Sequence, residues 1–119
     1  MSSILPTIVE TNAFTRKAAK LLTADEHDDL MVYLSTYYPA GDEIQGTGGV
    51  RKLRYAVGGR GKSGGVRVIY YFFDENNPIL ALLLYGKNEQ SNLTAQEKKL
   101  VTSIAAAMKA KAKAKRSKR

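Results

Sequence analysis

The sequence predicts an α+β fold, a small and mostly antiparallel sheet with helices packed on one face. Two patterns lead to this prediction. Apolar residues recur at helical spacing over residues 12–38 and 94–108, whereas residues 50–85 form short runs that alternate in polarity or are rich in β-branched and aromatic side chains. At 119 residues, the chain is long enough for one domain with a modest core. We place that domain at residues 1–108, followed by a disordered basic tail at residues 109–119.

The elements are predicted in the order β-α-α-β-β-β-α. The N-terminal run ILPTIVE is a short strand, and Pro6 favours an edge position for it. Thr23 begins the second helix with the capping-box sequence T-A-D-E, in which Glu26 stands three residues after the cap. The stretch DEIQGTGG at residues 42–49 is expected to be a loop. In chain order, the predicted elements are strand 4–10, helices 12–22 and 24–38, strands 50–57, 66–73 and 79–85, and helix 94–108.

The predicted hairpin at residues 48–73 concentrates positive charge. In its first strand Lys52 and Arg54 alternate with Leu53 and Tyr55, so the two cations share one face. The stretch VGGRGKSGG between the strands is too rich in glycine for a regular element, and we interpret it as a long hairpin tip. It is not a P-loop, because a strand rather than a helix follows it. The cations of this hairpin are Arg51, Lys52, Arg54, Arg60, Lys62 and Arg67.

The charge of the chain is unevenly distributed. The formal net charge is +8, but residues 1–46 carry three basic and seven acidic residues, a net of −4. Residues 47–119 carry sixteen basic and four acidic residues, a net of +12. This asymmetry points to nucleic acid or another polyanion as the partner.

Composition excludes several classes of chemistry. The chain has no cysteine, which excludes disulfides and thiolate catalysis. Its one histidine, His27, falls in an acidic first helical turn, where we interpret it as a solvated side chain. No residues have the spacing of a metal site, so we predict neither metal nor cofactor. The N-terminus lacks a signal-peptide pattern and the longest apolar run, Ile79–Tyr85, is too short to span a bilayer, so we expect a cytoplasmic protein without a membrane partner.

A group of cations can cleave RNA without histidine or metal. The 2′-hydroxyl attacks the neighbouring phosphorus in line, while cations hold the phosphate and stabilise the charge that develops on its equatorial oxygens. Arginine offers a rigid charged fork for phosphate, and a lysine crowded by other cations can exchange a proton. DNA lacks the 2′-hydroxyl, so such a site would be selective for RNA. The candidate catalytic residues are Lys52, Arg54, Arg67 and Lys87, and the candidate RNA- or ribosome-binding residues are Arg51, Arg60, Lys62, Tyr85 and Asn88.

Four stretches carry a family resemblance: G-G-V-R-K-L-R-Y (48–55), G-R-G-K-S-G-G-V-R-V-I-Y-Y (59–71), L-L-Y-G-K (83–87) and N-L-T-A-Q-E (92–97). In this order they resemble the RelE-type toxins of bacterial type II toxin–antitoxin systems, in the HigB-like branch. The resemblance implies a microbial-RNase-like fold and metal-independent, ribosome-dependent cleavage of translated mRNA. It also implies a cognate antitoxin, often of helix-turn-helix type, through which alone the toxin would meet operator DNA.

The resemblance further implies roles for individual residues. Lys52 and Arg54 match basic residues of the family's second strand. Arg67 matches the strand arginine that contacts the scissile phosphate, and Lys87 matches the basic motif that ends the last strand.

Two positions depart from the family pattern. Asn88 stands where many relatives have an arginine, and Leu93 and Thr94 stand in the region where many have a tyrosine that stacks on a base. Two alternatives therefore stay open: a non-catalytic RNA- or ribosome-binding module, and a gyrase-targeting toxin of the same superfamily.

Overall fold

A computed structural model describes residues 5–57 and 65–117 of the chain. Its elements agree with the predicted order, with one additional strand and a 3₁₀ turn. Residues 42–49 were expected to be a loop, but the first two residues after Gly41 pair as a short strand, because a ladder of two residues leaves no periodic signal in a sequence. The elements are β1 (Ile8–Glu10), α1 (Asn12–Leu21), α2 (Ala24–Tyr37), a 3₁₀ turn (Tyr38–Ala40), β2 (Asp42–Glu43), β3 (Arg51–Tyr55), β4 (Val66–Tyr71), β5 (Ile79–Gly86) and α3 (Ala95–Ser117).

Both N-terminal helices begin at side-chain caps. The Thr11 hydroxyl accepts a hydrogen bond from the Phe14 amide at 3.0 Å, which satisfies one unpaired donor of the first turn of α1. The predicted capping box of α2 is present, because the Thr23 hydroxyl accepts from the Glu26 amide and the Glu26 carboxylate accepts from the Thr23 amide. These local signals explain why the two helix starts could be predicted from sequence.

The five strands form one sheet in the order β1-β5-β4-β3-β2. β1 pairs with β5 in parallel, and all other pairs are antiparallel. The β4–β5 register shifts between Ile69 and Tyr70. The shift leaves Leu82 and Leu83 on the same side of the sheet. At these two leucines, the side chains of β5 therefore do not alternate between the two faces.

Helices cover both faces of the sheet, whereas the sequence was interpreted as a one-faced layer. On one face, α1 and α2 bury Phe14 and Leu34 against Val68 and Tyr70. We call this the α1/α2 face. On the opposite face, which we call the α3 face, the side chains of α3 pack against β4 and β5, as Val101 and Ala105 do against Ile69, Tyr71 and Leu82. The one-faced interpretation was wrong because β4 and β5 present apolar side chains on both faces, and each face requires a cover.

The last helix is longer than predicted. We expected α3 to end near residue 108 and residues 109–119 to form a disordered tail, but α3 continues to Ser117. Lysine and alanine both favour helix, and Ala112 is only 4% exposed, so this part of the helix has a covered side. The expected disorder was therefore wrong for residues 109–117. No helix among the described residues is long and apolar enough to cross a membrane.

Candidate functional site

Three neighbouring strands bring two arginines and a tyrosine into one row on the α3 face. β3 and β4 pair so that Arg54 lies directly opposite Arg67, and β4 and β5 pair so that Arg67 lies opposite Tyr85. Lys52 stands two residues before Arg54 and therefore projects to the same face. The structure thus brings together three of the four predicted catalytic side chains on one face.

The row carries an electrostatic cost. Like charges directly opposite one another in an antiparallel pair are destabilising, and Arg54 and Arg67 occupy such a position. Within the part of the chain that the structure describes, Lys52, Arg54 and Arg67 form no ion pair with a carboxylate. Arg54 is exposed, while Lys52 and Arg67 are half-buried. An anion bound over this row would relieve the repulsion, which makes the row a candidate phosphate-binding site.

Lys52 lies in a cleft between the sheet and the start of α3. Its ammonium donates to the Asn92 carboxamide oxygen at 3.5 Å. The cleft has a volume of about 260 Å³. It is lined by Ile44, Gln45, Lys52, Asn92, Leu93 and Lys98.

A capping box shapes this cleft by fixing the start of α3. The Thr94 hydroxyl accepts from the Glu97 amide at 3.1 Å, and the Glu97 carboxylate accepts from the Thr94 amide and the Gln90 side chain, each at 2.9 Å. Burial raises the pKa of Glu97, but these hydrogen bonds and the charge of Lys17 outweigh it, so the pKa lies below its ordinary value. The carboxylate therefore stays ionised and keeps the loop that carries Asn92 in position.

Tyr85 is a buried neighbour of the arginines rather than an exposed stacking group. Only 3% of the residue is exposed, and its hydroxyl donates to the Ser91 carbonyl oxygen at 3.2 Å. Burial raises the pKa of Tyr85, the charge of Arg67 lowers it and Glu97 raises it, with a net increase. We expected Tyr85 to contact RNA, but the structure buries its ring under the residues before α3, so the ring supports the row of cations instead.

Lys87 and Asn88 lie in the tight turn that follows β5, and both are exposed. The Lys87 amide donates to the Gly65 carbonyl oxygen at 3.0 Å, which ties the turn to the start of β4, two residues before Arg67. Glu89 closes the turn by accepting from the Gly86 amide at 2.6 Å. The structure therefore brings Lys87 to the same end of the sheet as Arg67.

Glu89 is also the anchor that joins this turn to α1. Its carboxylate forms an ion pair with Lys17 at 2.6 Å. The hydrogen bonds from Lys17 and from the Gly86 amide hold the pKa of Glu89 below its ordinary value.

Arg51 lies away from the predicted site. It alternates with Lys52, so it projects to the α1/α2 face, where its guanidinium donates to the Gly41 carbonyl oxygen at 2.6 Å. The structure therefore shows a structural contact for Arg51, on the face opposite the row, and its role in binding RNA stays a prediction. Arg60 and Lys62, which were predicted to bind RNA, lie outside the described residues.

Sequence reasoning missed two residues of the cleft. Asn92 and Lys98 line it beside Lys52, although Lys98 reads in sequence as a solvated helix position. The available signal was the capping sequence T-A-Q-E at 94–97, which starts α3 immediately before Lys98. No group of three or more His, Cys, Asp or Glu residues in the described ranges could hold a metal ion.

Comparison with known proteins agrees with this architecture. A family model described as the RelE toxin of the RelE/RelB toxin–antitoxin system matches residues 8–118. Among solved structures, the chain is similar to a mutant of the E. coli toxin RelE in the free state, with a TM-score of 0.51 and 17% sequence identity. That match covers 72% of this chain and 86% of the E. coli chain, and at this identity it shows a shared fold.

Proposed function

The chain belongs to the RelE toxin family of toxin–antitoxin systems, and from this premise we propose that it is a ribosome-dependent endoribonuclease. It would cut translated mRNA and thereby stop translation and growth. The observation that carries the proposal is the register that sets Arg54 opposite Arg67 on the α3 face, with Lys52 on the same face. Asp42 lies opposite Lys52, but neither Arg54 nor Arg67 has a carboxylate opposite it in the described strands. A fold that tolerates the repulsion between these two arginines is suited to hold a phosphate.

The proposed chemistry is an in-line transfer within the RNA. The 2′-oxygen forms a bond to phosphorus, the bond to the 5′-oxygen breaks, and the products are a 2′,3′-cyclic phosphate and a 5′-hydroxyl. The proton lost by the 2′-hydroxyl goes to a base, and the 5′-oxygen gains a proton from an acid. Arg67 and Arg54 would hold the non-bridging oxygens and stabilise the charge that develops on them, while Lys52 and Lys87 are the candidates for proton exchange.

We propose a cognate antitoxin as the partner that neutralises the toxin, with helix-turn-helix character in keeping with the HigB-like branch. The toxin would then reach operator DNA only through the antitoxin. Ribosomes and translated mRNA would be its targets in the cytoplasm. Asn88 and Lys87, both on the exposed turn after β5, would face the bound RNA.

A second candidate is a binding module that holds RNA or the ribosome without cutting it. The burial of Tyr85 favours this candidate, because the described site then lacks one aromatic ring that could orient a base for in-line attack. Such a module would bind ribosomes with a steep dependence on salt and leave mRNA intact.

Inducing the chain in bacterial cells without its antitoxin, and mapping the 5′ ends of cellular RNA, tests the nuclease. We expect growth arrest and new 5′ ends within translated regions. Arg67→Ala should lower the cleavage rate by about 10²- to 10³-fold, the cost of removing one preorganised donor to a developing charge. Arg16→Ala, which removes the same charge from an exposed position of α1, is the matched control and should cut as the wild type does.

The outcomes separate the candidates. Arrested cells with intact mRNA would reject the nuclease and favour ribosome binding, and a DNA-damage response without mRNA loss would indicate a gyrase-targeting toxin. Cleavage by Arg67→Ala at the wild-type rate would remove Arg67 from the site.

A further inference from the structure

A surface depression extends from the cleft at Lys52 along α3. One wall is the loop between β2 and β3, and the other is α3 itself. Beyond the first cleft, a second cleft of about 300 Å³ lies between the same two walls, lined by Thr47, Gly48, Thr102, Ala106, Lys109, Ala110 and Lys113. Lys98 marks the junction, because it lines the first cleft and its ammonium lies beside Gly46, where a β-carbon would come within 3.4 Å of it. We call the two clefts together the lysine groove.

Three lysines of α3 face this groove as one stripe. With 3.6 residues per turn, Lys98, Lys109 and Lys113 fall within about 60° of one another around the helix. They span about 22 Å along its axis at about 1.5 Å per residue, a length that suits several nucleotides of an extended strand. Lys111 and Lys115 belong to the opposite side of the same helix. The alternating lysines therefore supply one stripe in the groove and one outside it.

The groove has the polarity of a site for an extended polyanion. Among the residues that the structure describes, none that lines its two clefts is acidic. By contrast, a larger cleft of about 710 Å³ is lined by Leu5, Val9, Phe72 and Glu75 among others, and none of its described lining residues is basic. Of these three clefts, the two that form the groove are lined by lysine.

We propose that the lysine groove binds the sugar–phosphate backbone of a single-stranded RNA that continues from the candidate site along α3. The inference rests on the proposed function, since it assigns RNA as the ligand. It adds an extended binding track to that site. Two clefts that succeed one another along α3 can hold a single RNA strand, as a charged channel holds single-stranded nucleic acid. Lysines on a flexible stem contact phosphates without reading sequence, so the track contributes affinity rather than base preference.

The test measures binding of the full-length chain to a single-stranded RNA of 15 nucleotides, 2′-O-methylated throughout so that it cannot be cut. Fluorescence anisotropy at several salt concentrations gives the slope of log K against log salt. Each phosphate contact to a single strand contributes about −0.7 to that slope, so Lys109→Ala with Lys113→Ala should flatten it by about 1.4 and weaken binding about tenfold at low salt. Lys111→Ala with Lys115→Ala is the matched control, with the same charge change in the same helix.

Both double variants replace lysine by the strongest helix former, so α3 should persist in each, and circular dichroism verifies it. A flatter slope only for the groove pair supports the track. Equal slopes in the two double variants, or no binding of the oligonucleotide by the wild type, overturn it. Cleavage of mRNA by the wild type in a translating extract is scored separately. If the wild type cleaves mRNA but the two double variants have equal salt slopes, the track alone is rejected. If the slope is flatter only for the groove pair and the wild type does not cleave mRNA, the track is kept and the nuclease is rejected.

Discussion

The two arginines of β3 project to opposite faces of the sheet, because successive residues of a strand alternate between its faces. Arg54 projects to the α3 face beside Arg67, while Arg51 projects to the other face and bonds to Gly41. The Gly41 amide in turn donates to the Tyr70 hydroxyl at 3.1 Å. Arg51 therefore ties the segment between α2 and β2 to the sheet.

Replacing each of these two arginines by alanine should separate a contribution to stability from a contribution to activity. Arg51→Ala removes a charge-assisted hydrogen bond to the backbone and should lower the free energy of unfolding by about 1–3 kcal/mol, with RNA cleavage retained below the melting transition. Arg54→Ala should leave that free energy within about 0.5 kcal/mol, or raise it slightly by relieving the repulsion from Arg67, and should lower cleavage. Urea denaturation and a cleavage assay on both variants measure the two effects. Loss of cleavage by Arg51→Ala in fully folded protein would contradict this division.

The sequence predicts only part of the site at this scale. Alternation along one strand was sufficient to group Lys52 with Arg54, and strand pairing in chain order was sufficient to add Arg67. The hydrogen bond from Arg51 to Gly41 and the burial of Tyr85 by the residues before α3 depend on tertiary contacts. The sequence offers no periodic signal for such contacts.

At the scale of elements, α3 shows how composition alone can mislead. A run of alternating lysine and alanine has strong helix propensity but no apolar stripe, so repulsion among its charges predicts disorder. The structure shows a helix instead, in which Ala112 is 4% exposed while Ala110 and Ala114 are exposed. A side chain as small as alanine can mark a covered helix face that no hydrophobicity pattern reveals.

The covered face of α3 can be tested by a matched pair of substitutions. Ala112→Glu would bury a carboxylate and should lower the free energy of unfolding by about 2 kcal/mol or more. Ala114→Glu adds the same charge to the same lysine-rich segment at an exposed position, and should change the free energy by no more than about 0.5 kcal/mol. Urea denaturation of both variants gives the comparison. Equal effects would mean that residues 109–117 do not pack against the rest of the protein.

At the scale of the whole molecule, a sheet covered on both faces buries several ionisable groups. Burial raises the pKa values of Tyr55, Tyr70, Tyr71 and Tyr85, all of which belong to the sheet. Tyr70 is fully buried, and its hydroxyl donates to the Tyr38 carbonyl oxygen while it accepts from the Gly41 amide. Burial in the sheet thus favours the neutral form of these tyrosines in the folded protein.

The stability of the protein should therefore fall in alkali. A tyrosine whose pKa is higher in the folded than in the unfolded chain stabilises the fold fully below pH 10.0, its ordinary pKa, and that contribution is lost as the pH rises through the raised value. Tyr70→Phe should cost about 1–3 kcal/mol at pH 7 through the lost hydrogen bonds, yet the free energy of unfolding should decline less steeply above pH 10 than in the wild type.

Tyr37→Phe is the matched control, because Tyr37 is 50% exposed and its loss should leave the alkaline slope unchanged. The comparison is one of slopes among the three proteins. Urea denaturation from pH 8 to pH 11 measures these slopes, and a Tyr70→Phe curve parallel to that of the wild type would contradict the prediction. A flatter curve would identify the contact between Tyr70 and the segment before β2 as a pH-sensitive link between the sheet and α2.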